Sequence, residues 1–191
     1  MLFRSLKSPD TLLRALAELI HRRPEIRSRL RGVICGGPSG TGLDRPSALI
    51  DLSRELDVED RISFLAPRSR ADLADVYRAA NVTMVPSFSE SFGLVAVESQ
   101  ACGTPVIAAN VGGLRTAVSD AGFLIDGHDA AEYASAIDRL MTEDSLAKAM
   151  AFRSVDHASR FSWDETTRRL LGTYELALQG SRSWQQPVSM L

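Results

Sequence analysis

Two carboxylates, Glu90 and Glu98, are separated by seven residues and flank Gly93 in the segment SESFGLVAVESQACGTPV. Two carboxyl groups about 5–9.5 Å apart can act as the acid and base of glycoside hydrolysis. Eight residues of helix would place them about 12 Å apart, which is too far for that chemistry. The pair fits better as two clamps along an extended ligand, each accepting hydrogen bonds from sugar hydroxyls. The alternative is that both are solvated carboxylates on the surface. For Glu98 taken alone, the surface interpretation is favoured, because glutamate is common on exposed helix surfaces.

The residues between the two carboxylates predict an anion site. Phe92, Gly93 and Leu94 precede or open a predicted helix, Leu94 to Ala101, and the first N–H groups of a helix have no partner within it. A glycine at this point lets the backbone approach a ligand closely, and the helix dipole favours negative charge. We therefore expect a diphosphate site here. A helix entered through an ordinary serine–glycine turn is the alternative.

The other candidate motifs carry less chemistry. The loop from Gly36 to Gly42, GGPSGTG, is followed by no GK[ST] and lacks GxGxxG spacing, so we interpret it as a flexible connection rather than a phosphate cradle. Lys7 lies between Leu6 and Ser8 and on its own would be a surface lysine. The three histidines show no ligand spacing, so we predict no metal site.

The elements that must position these residues alternate between short apolar strands and helices. A strand that is apolar without alternation is typical of a parallel sheet covered on both faces. The sequence therefore predicts an α/β fold with a single Rossmann-like parallel sheet, helices on both faces and a helical C-terminal extension. We expect residues 1–180 to form this domain and 181–191 to form a tail. The predicted strands are Gly32 to Cys35, Ile62 to Leu65, Val82 to Val85, Val106 to Ala109 and Phe123 to Ile125.

Residue types predict where five of the helices begin or end. Ser8 is expected to cap the first helix, with Pro9 at its first position. Ser69, with Asp72, resembles a capping box for a helix from Ala71 to Ala79. The last three helices are predicted from Asp129 to Met141, Ser145 to Phe152 and Trp163 to Leu178.

Composition narrows the class of protein. The 191 residues are 45% hydrophobic and 24% charged, which is ordinary for one globular domain. The net charge of −2 gives no reason to expect nucleic acid, and no apolar run is long enough for membrane insertion. Cys35 and Cys102 lack metal-type spacing and are expected to be buried thiols in a reducing compartment. With no signal peptide evident, we expect a cytoplasmic protein.

Several segments resemble a known family. VYRAANV, VPSFSESFGLVAVESQACGTPVIAANVGGL and IDGHD are similar to the donor site of retaining GT-B glycosyltransferases of the group 1 family, whose core signature is the E-x7-E pair. The similarity runs from Lys7 to about Leu178. It is strongest to the mycothiol-pathway subfamily, which transfers N-acetylglucosamine from UDP to inositol 3-phosphate. The resemblance implies the C-terminal, donor-binding half of a GT-B fold.

The resemblance also implies a role for each candidate residue. Lys7 would neutralise the donor diphosphate and Glu90 would bind hydroxyls of the donor sugar, which makes these two the predicted catalytic residues. Glu98 would bind the ribose hydroxyls, and Arg68 would lie beside the uracil ring. Phe92, Gly93 and Leu94 would offer their N–H groups to the diphosphate. The UDP-sugar is the expected donor substrate, with no separate cofactor.

The N-terminal end departs from the family pattern, which has a full apolar strand, then Gly-Arg, four residues and lysine. Counting back from Lys7 places Leu2 where the arginine belongs, and Arg4 replaces it only in a shorter loop. The central strand would keep barely three residues, and the acceptor domain with its catalytic histidine would be absent. We therefore expect weak binding of UDP or a UDP-sugar, little transfer, and pairing with a second copy or a separate N-terminal polypeptide. A non-catalytic nucleotide-sugar-binding module and half of a sugar-nucleotide epimerase are the alternatives.

Overall fold

Short parallel strands and helices alternate along the chain in the computed structural model, which describes residues 6–37 and 47–183. All five predicted strands are confirmed within one residue at their ends. The strands are β1 (Gly32–Cys35), β2 (Ile62–Leu65), β3 (Thr83–Val85), β4 (Val106–Ala109) and β5 (Gly122–Ile125). The helices are α1 (Asp10–Arg22), α2 (Ala48–Glu55), α3 (Arg70–Ala79), α4 (Leu94–Ala101), α5 (Leu114–Val118), α6 (Ala130–Thr142), α7 (Asp144–Ser159) and α8 (Trp163–Ser183).

The start of α1 corrects one prediction. The helix begins at Asp10 with Pro9 at the capping position, and Ser8 lies before it in the left-handed region at φ 44°. The Ser8 hydroxyl contacts Asp10 Oδ1 and Thr11 Oγ1, each at 3.0 Å. Ser8 is therefore a buried turn residue, not the helix cap, because its side chain bonds to neighbouring side chains instead of the backbone.

The other helices with predicted bounds begin within one residue of their predicted starts, but α7 and α8 extend well beyond their predicted ends. Ser69 caps α3 as expected, accepting a hydrogen bond from the Asp72 N–H at 3.2 Å. The helix α7 continues to Ser159, beyond its predicted end at Phe152, and α8 continues to Ser183. The consecutive helices α6, α7 and α8 confirm a helical C-terminal extension.

The strands form two parallel ladders. β1 pairs with β2, and β4 pairs with β3 on one side and β5 on the other. Within residues 6–37 and 47–183, no strand pairs with both β1 and β3, so the predicted single sheet has two hydrogen-bonded parts. In a 3-2-1-4-5-6 strand order they correspond to strands 3-2 and 4-5-6. The first strand of that order would lie between them, and its predicted remnant at residues 1–3 is outside the described residues.

Two apolar cores lie on opposite faces of the β3–β4–β5 ladder. Ile107 of β4 belongs to a core with α1 and α6, whereas Val106 and Ala108 belong to a core with α4 and α5. Successive side chains of a strand point to opposite faces, so β4 is fully buried between the two layers. Helices on both faces are thus confirmed. Across the described helices, none combines the length and apolarity that crossing a membrane would need.

Candidate functional site

Lys7 and Glu90 lie far apart in sequence and meet in an ion pair between Nζ and Oε2. The Lys7 side chain is 61% exposed, whereas that of Glu90 is 14% exposed. A hydrogen bond joins the segment before α1, which carries Lys7, to the loop after β3, which carries Glu90. In it, the Phe88 N–H donates to the Leu6 carbonyl at 2.8 Å. The left-handed backbone of Ser8 then turns the chain into α1. The structure therefore brings the two predicted catalytic residues together.

A glycine pair holds the loop that carries Glu90. The Gly113 N–H donates to the Glu90 carbonyl at 2.9 Å. A Cβ on Gly112 would lie 2.2 Å from that carbonyl oxygen, and a Cβ on Gly113 would lie 2.3 Å from the Ser91 carbonyl oxygen. Only glycine allows the two backbones to approach this closely. Sequence analysis singled out neither glycine as support for the Glu90 loop, because the contact joins segments that are separated in sequence.

The same loop sets the start of α4. Gly93 has a left-handed backbone at φ 101°, and a Cβ there would lie 2.8 Å from Leu114 Cδ2 of α5. Within the part of the chain that the structure describes, the N–H groups of Phe92, Gly93 and Leu94 donate no hydrogen bond. The helix begins only at Leu94, so the estimate of about 12 Å, which assumed helix from Glu90 onwards, does not apply to the two carboxylates.

Glu98 lies on the exposed side of α4 and is held by a residue that sequence reasoning missed. The Tyr77 hydroxyl donates to Glu98 Oε2 at 3.3 Å. Burial, together with the negative charge of Glu98, raises the pKa of the Tyr77 phenol well above its usual range. The contact depends on packing of α3 against α4, and the only sequence signal was the presence of Tyr77 in VYRAANV.

Arg68 occupies a different loop from the other candidates. It is exposed, follows the carboxyl end of β2, and makes no hydrogen bond or ion pair with other described residues. The Glu90 loop follows β3, and the Gly112–Gly113 turn follows β4. All three loops are thus at carboxyl ends of parallel strands, which is where ligands bind in open α/β folds. Among the described residues, no hydrogen bond or ion pair joins Arg68 to Lys7, Glu90 or Glu98.

The loop after β5 supports the Glu90 loop from another side. The His128 ring stacks on Phe88 with ring centroids 3.8 Å apart, and its Nε2 lies 3.2 Å from the Ser87 carbonyl. Farther along, Phe92 packs edge-on against Phe161, with ring centroids 5.6 Å apart.

Among the residues described, no cluster of three or more His, Cys, Asp or Glu side chains forms a candidate metal site.

Comparison with known proteins agrees with this geometry. Residues 2–154 match the family model described as Glycosyl transferases group 1. The D-inositol 3-phosphate glycosyltransferases of Stackebrandtia nassauensis and Rhodococcus jostii are 52% and 53% identical to the chain, over 176 and 174 residues. These matches cover 91% and 90% of this chain but only 40% and 38% of the relatives. The chain thus spans about two-fifths of their length and matches their C-terminal part.

A solved structure shows the same fold. Anabaena HepE, in complex with UDP and glucose, superposes with a TM-score of 0.77 at 26% identity. The match covers 89% of this chain and 45% of HepE. This chain therefore corresponds to less than half of HepE, as it does to less than half of the two D-inositol 3-phosphate glycosyltransferases.

Proposed function

The chain belongs to the glycosyl transferases group 1 family, and we propose that it is the donor-binding part of a retaining glycosyltransferase that uses a UDP-sugar. The Lys7–Glu90 ion pair at the loop entering α4 carries this proposal. It places a cation and a carboxylate beside three backbone N–H groups that have no partner among the described residues. A diphosphate bears negative charge and a sugar bears hydroxyl donors, so this set complements both parts of the ligand.

Binding of the donor requires the ion pair to exchange partners. Lys7, which is exposed, turns to the diphosphate together with the N–H groups of Phe92, Gly93 and Leu94. Glu90 is then free to accept hydrogen bonds from the sugar hydroxyls. Glu98 accepts hydrogen bonds from the ribose hydroxyls, and Arg68 lies beside the uracil ring. HepE, which was solved with UDP and glucose, supports binding of a UDP-sugar by this fold, and we propose no separate cofactor.

The intact enzyme would transfer the sugar with retention of configuration. The bond between the anomeric carbon and the UDP oxygen breaks, and the acceptor hydroxyl oxygen bonds to the same face while its proton passes to the leaving diphosphate. Lys7 and the start of α4 stabilise the charge that develops on UDP. The names of the relatives support N-acetylglucosamine transfer to a hydroxyl of an inositol-phosphate-like acceptor. We assign the acceptor side of the cleft to a separate N-terminal polypeptide or domain, matching the portion of the relatives that this chain does not cover.

Titration calorimetry with the purified 191-residue chain tests donor binding. We expect UDP and UDP-N-acetylglucosamine to bind, uridine to bind more weakly because it lacks the diphosphate, and GDP to bind more weakly because its base differs. Absence of UDP binding at millimolar concentration, or equal binding of UDP and GDP, would contradict the proposal.

The same preparation tests whether the donor side alone suffices for transfer. Transfer needs donor and acceptor held together away from water, so we expect this chain to release little product from UDP-N-acetylglucosamine and inositol 3-phosphate. Turnover equal to that of a full-length relative in the same assay would show that the acceptor side is not where we assign it.

A further inference from the structure

Tyr77 is the side chain that touches the exposed carboxylate of α4. The residue is 8% exposed, and its hydroxyl donates to Glu98 Oε2 at 3.3 Å. A phenol can donate one hydrogen bond, and an ionised carboxylate can only accept. Tyr77 therefore occupies one of the roughly four lone-pair positions of the carboxylate and leaves the others for a ligand.

The position of Tyr77 is itself fixed by neighbouring structure. Its carbonyl accepts hydrogen bonds from Thr104 Oγ1 at 2.6 Å and from the Ala80 N–H at 3.0 Å. These contacts tie the end of α3 to the turn between α4 and β4. Because the pKa of the phenol is raised by burial and by Glu98, the hydroxyl keeps its proton and remains a donor throughout the neutral range. The direction of the hydrogen bond is thus constant.

We infer that Tyr77 is a positioning residue, which holds the Glu98 carboxylate where it accepts hydrogen bonds from the two ribose hydroxyls of UDP. This inference rests on the proposed function, since it requires Glu98 to bind the ribose. A glutamate on an exposed helix surface samples several rotamers, and ordering it on binding costs entropy. A buried donor that selects one rotamer beforehand reduces that cost, which is the advantage of a preorganised site.

The Tyr77→Phe variant tests the inference because it removes the hydroxyl and retains the buried ring. We expect the Kd for UDP to rise about fivefold, which is within the range for the net contribution of one ordinary hydrogen bond. The Kd for 2′-deoxy-UDP should change less, because that nucleotide lacks one of the hydroxyls that Glu98 binds. The ratio of the Kd for 2′-deoxy-UDP to the Kd for UDP should therefore fall.

This ratio separates positioning from a general effect on folding. A variant that lowers the folded population raises both Kd values by the same factor, so the ratio between them is unaffected. The matched control is Tyr133→Phe, since Tyr133 is also buried but its hydroxyl donates to the Gly127 carbonyl at 3.4 Å. We expect the control to leave the ratio at the wild-type value.

A double-mutant cycle distinguishes failure of the inference from failure of the proposed function. In the Glu98→Ala background, adding Tyr77→Phe should have no further effect on the ratio, because the two residues act as a unit. If Glu98→Ala itself leaves the ratio unchanged, the ribose role of Glu98 is wrong. If Glu98→Ala lowers the ratio and Tyr77→Phe alone does not, Glu98 binds the ribose without help from Tyr77 and the inference is overturned.

Discussion

Lys7 and Glu90 differ in their freedom to move, and this difference decides which one leaves the ion pair when a ligand binds. Lys7 is mostly exposed, whereas Glu90 is mostly buried and lies in a loop whose backbone is fixed by Gly113. An ion pair with a solvent-exposed lysine contributes little to stability. Moving the Lys7 ammonium from Glu90 to a diphosphate therefore costs little free energy. The ion pair keeps both side chains close to where the ligand would meet them.

Replacing Lys7 by methionine tests this role in binding. We expect Lys7→Met to raise the Kd for UDP at least about tenfold, because a charge-assisted hydrogen bond to the diphosphate is lost. The Kd for uridine, which has no phosphate, should stay the same. Calorimetry at a fixed salt concentration measures both values. Lys148→Met on α7 is the matched control, since Lys148 is also an exposed lysine. An equal loss of uridine and UDP affinity would indicate a structural role for Lys7.

At the scale of secondary structure, the strands were predictable and some helix ends were not. Each strand is a short apolar run bounded by glycine, proline or polar residues, and this local signal suffices. The residues after Phe152 include no breaker before Ser159, so the end of α7 had no local signal. Ser8 has the residue type of a helix cap, yet contacts with Asp10 and Thr11 place it in a turn.

The candidate site was predictable in part, for a physical reason that differs between its residues. The N–H groups at the start of α4 follow from a local pattern of glycine and helix. The partners of Lys7 and Glu98 do not, because Glu90 and Tyr77 reach them only through packing of elements distant in sequence. Family resemblance predicted Lys7 and both glutamates as site residues. It did not identify the Tyr77 contact or the support that Gly112 and Gly113 give to the Glu90 loop.

The glycine pair makes an element-scale prediction. Gly113 has φ −67°, which any residue adopts, so an alanine there fails only through its Cβ, 2.3 Å from the Ser91 carbonyl oxygen. Since backbone atoms must shift, we expect Gly113→Ala to lower the free energy of unfolding by about 1–3 kcal/mol and to weaken UDP binding by displacing the Glu90 loop. Urea unfolding and calorimetry measure the two effects.

Gly172 is the matched control for this substitution. It lies within α8, and a Cβ there would have no neighbour within 4 Å. We expect Gly172→Ala to raise the free energy of unfolding by up to about 1 kcal/mol, since alanine favours helix over glycine, and to leave UDP binding unchanged. Unchanged stability and binding in Gly113→Ala would mean that the two loops can separate without consequence for the site.

At the scale of the whole molecule, α8 presents apolar side chains that the rest of the described chain does not cover. Its 21 residues extend about 31 Å at the usual helical rise. Trp163 is 86% exposed, and Leu170, Leu171 and Tyr174 are each about half exposed. Their spacing places them on one side of the helix. Because soluble monomers rarely leave a large contiguous apolar patch uncovered, this surface is suited to contact another polypeptide.

For the purified 191-residue chain, the available polypeptide is a second copy. We expect light scattering to give a mass above the monomer value of 20.8 kDa, rising with concentration, because pairing two α8 helices buries both apolar sides. Leu170→Glu should shift the mass towards the monomer, since it places a charge within the contact. Gln179→Glu adds the same charge on the opposite side of α8 and should leave the association unchanged. A monomer at every concentration, or equal dissociation by both variants, would show that the apolar side of α8 does not join two copies.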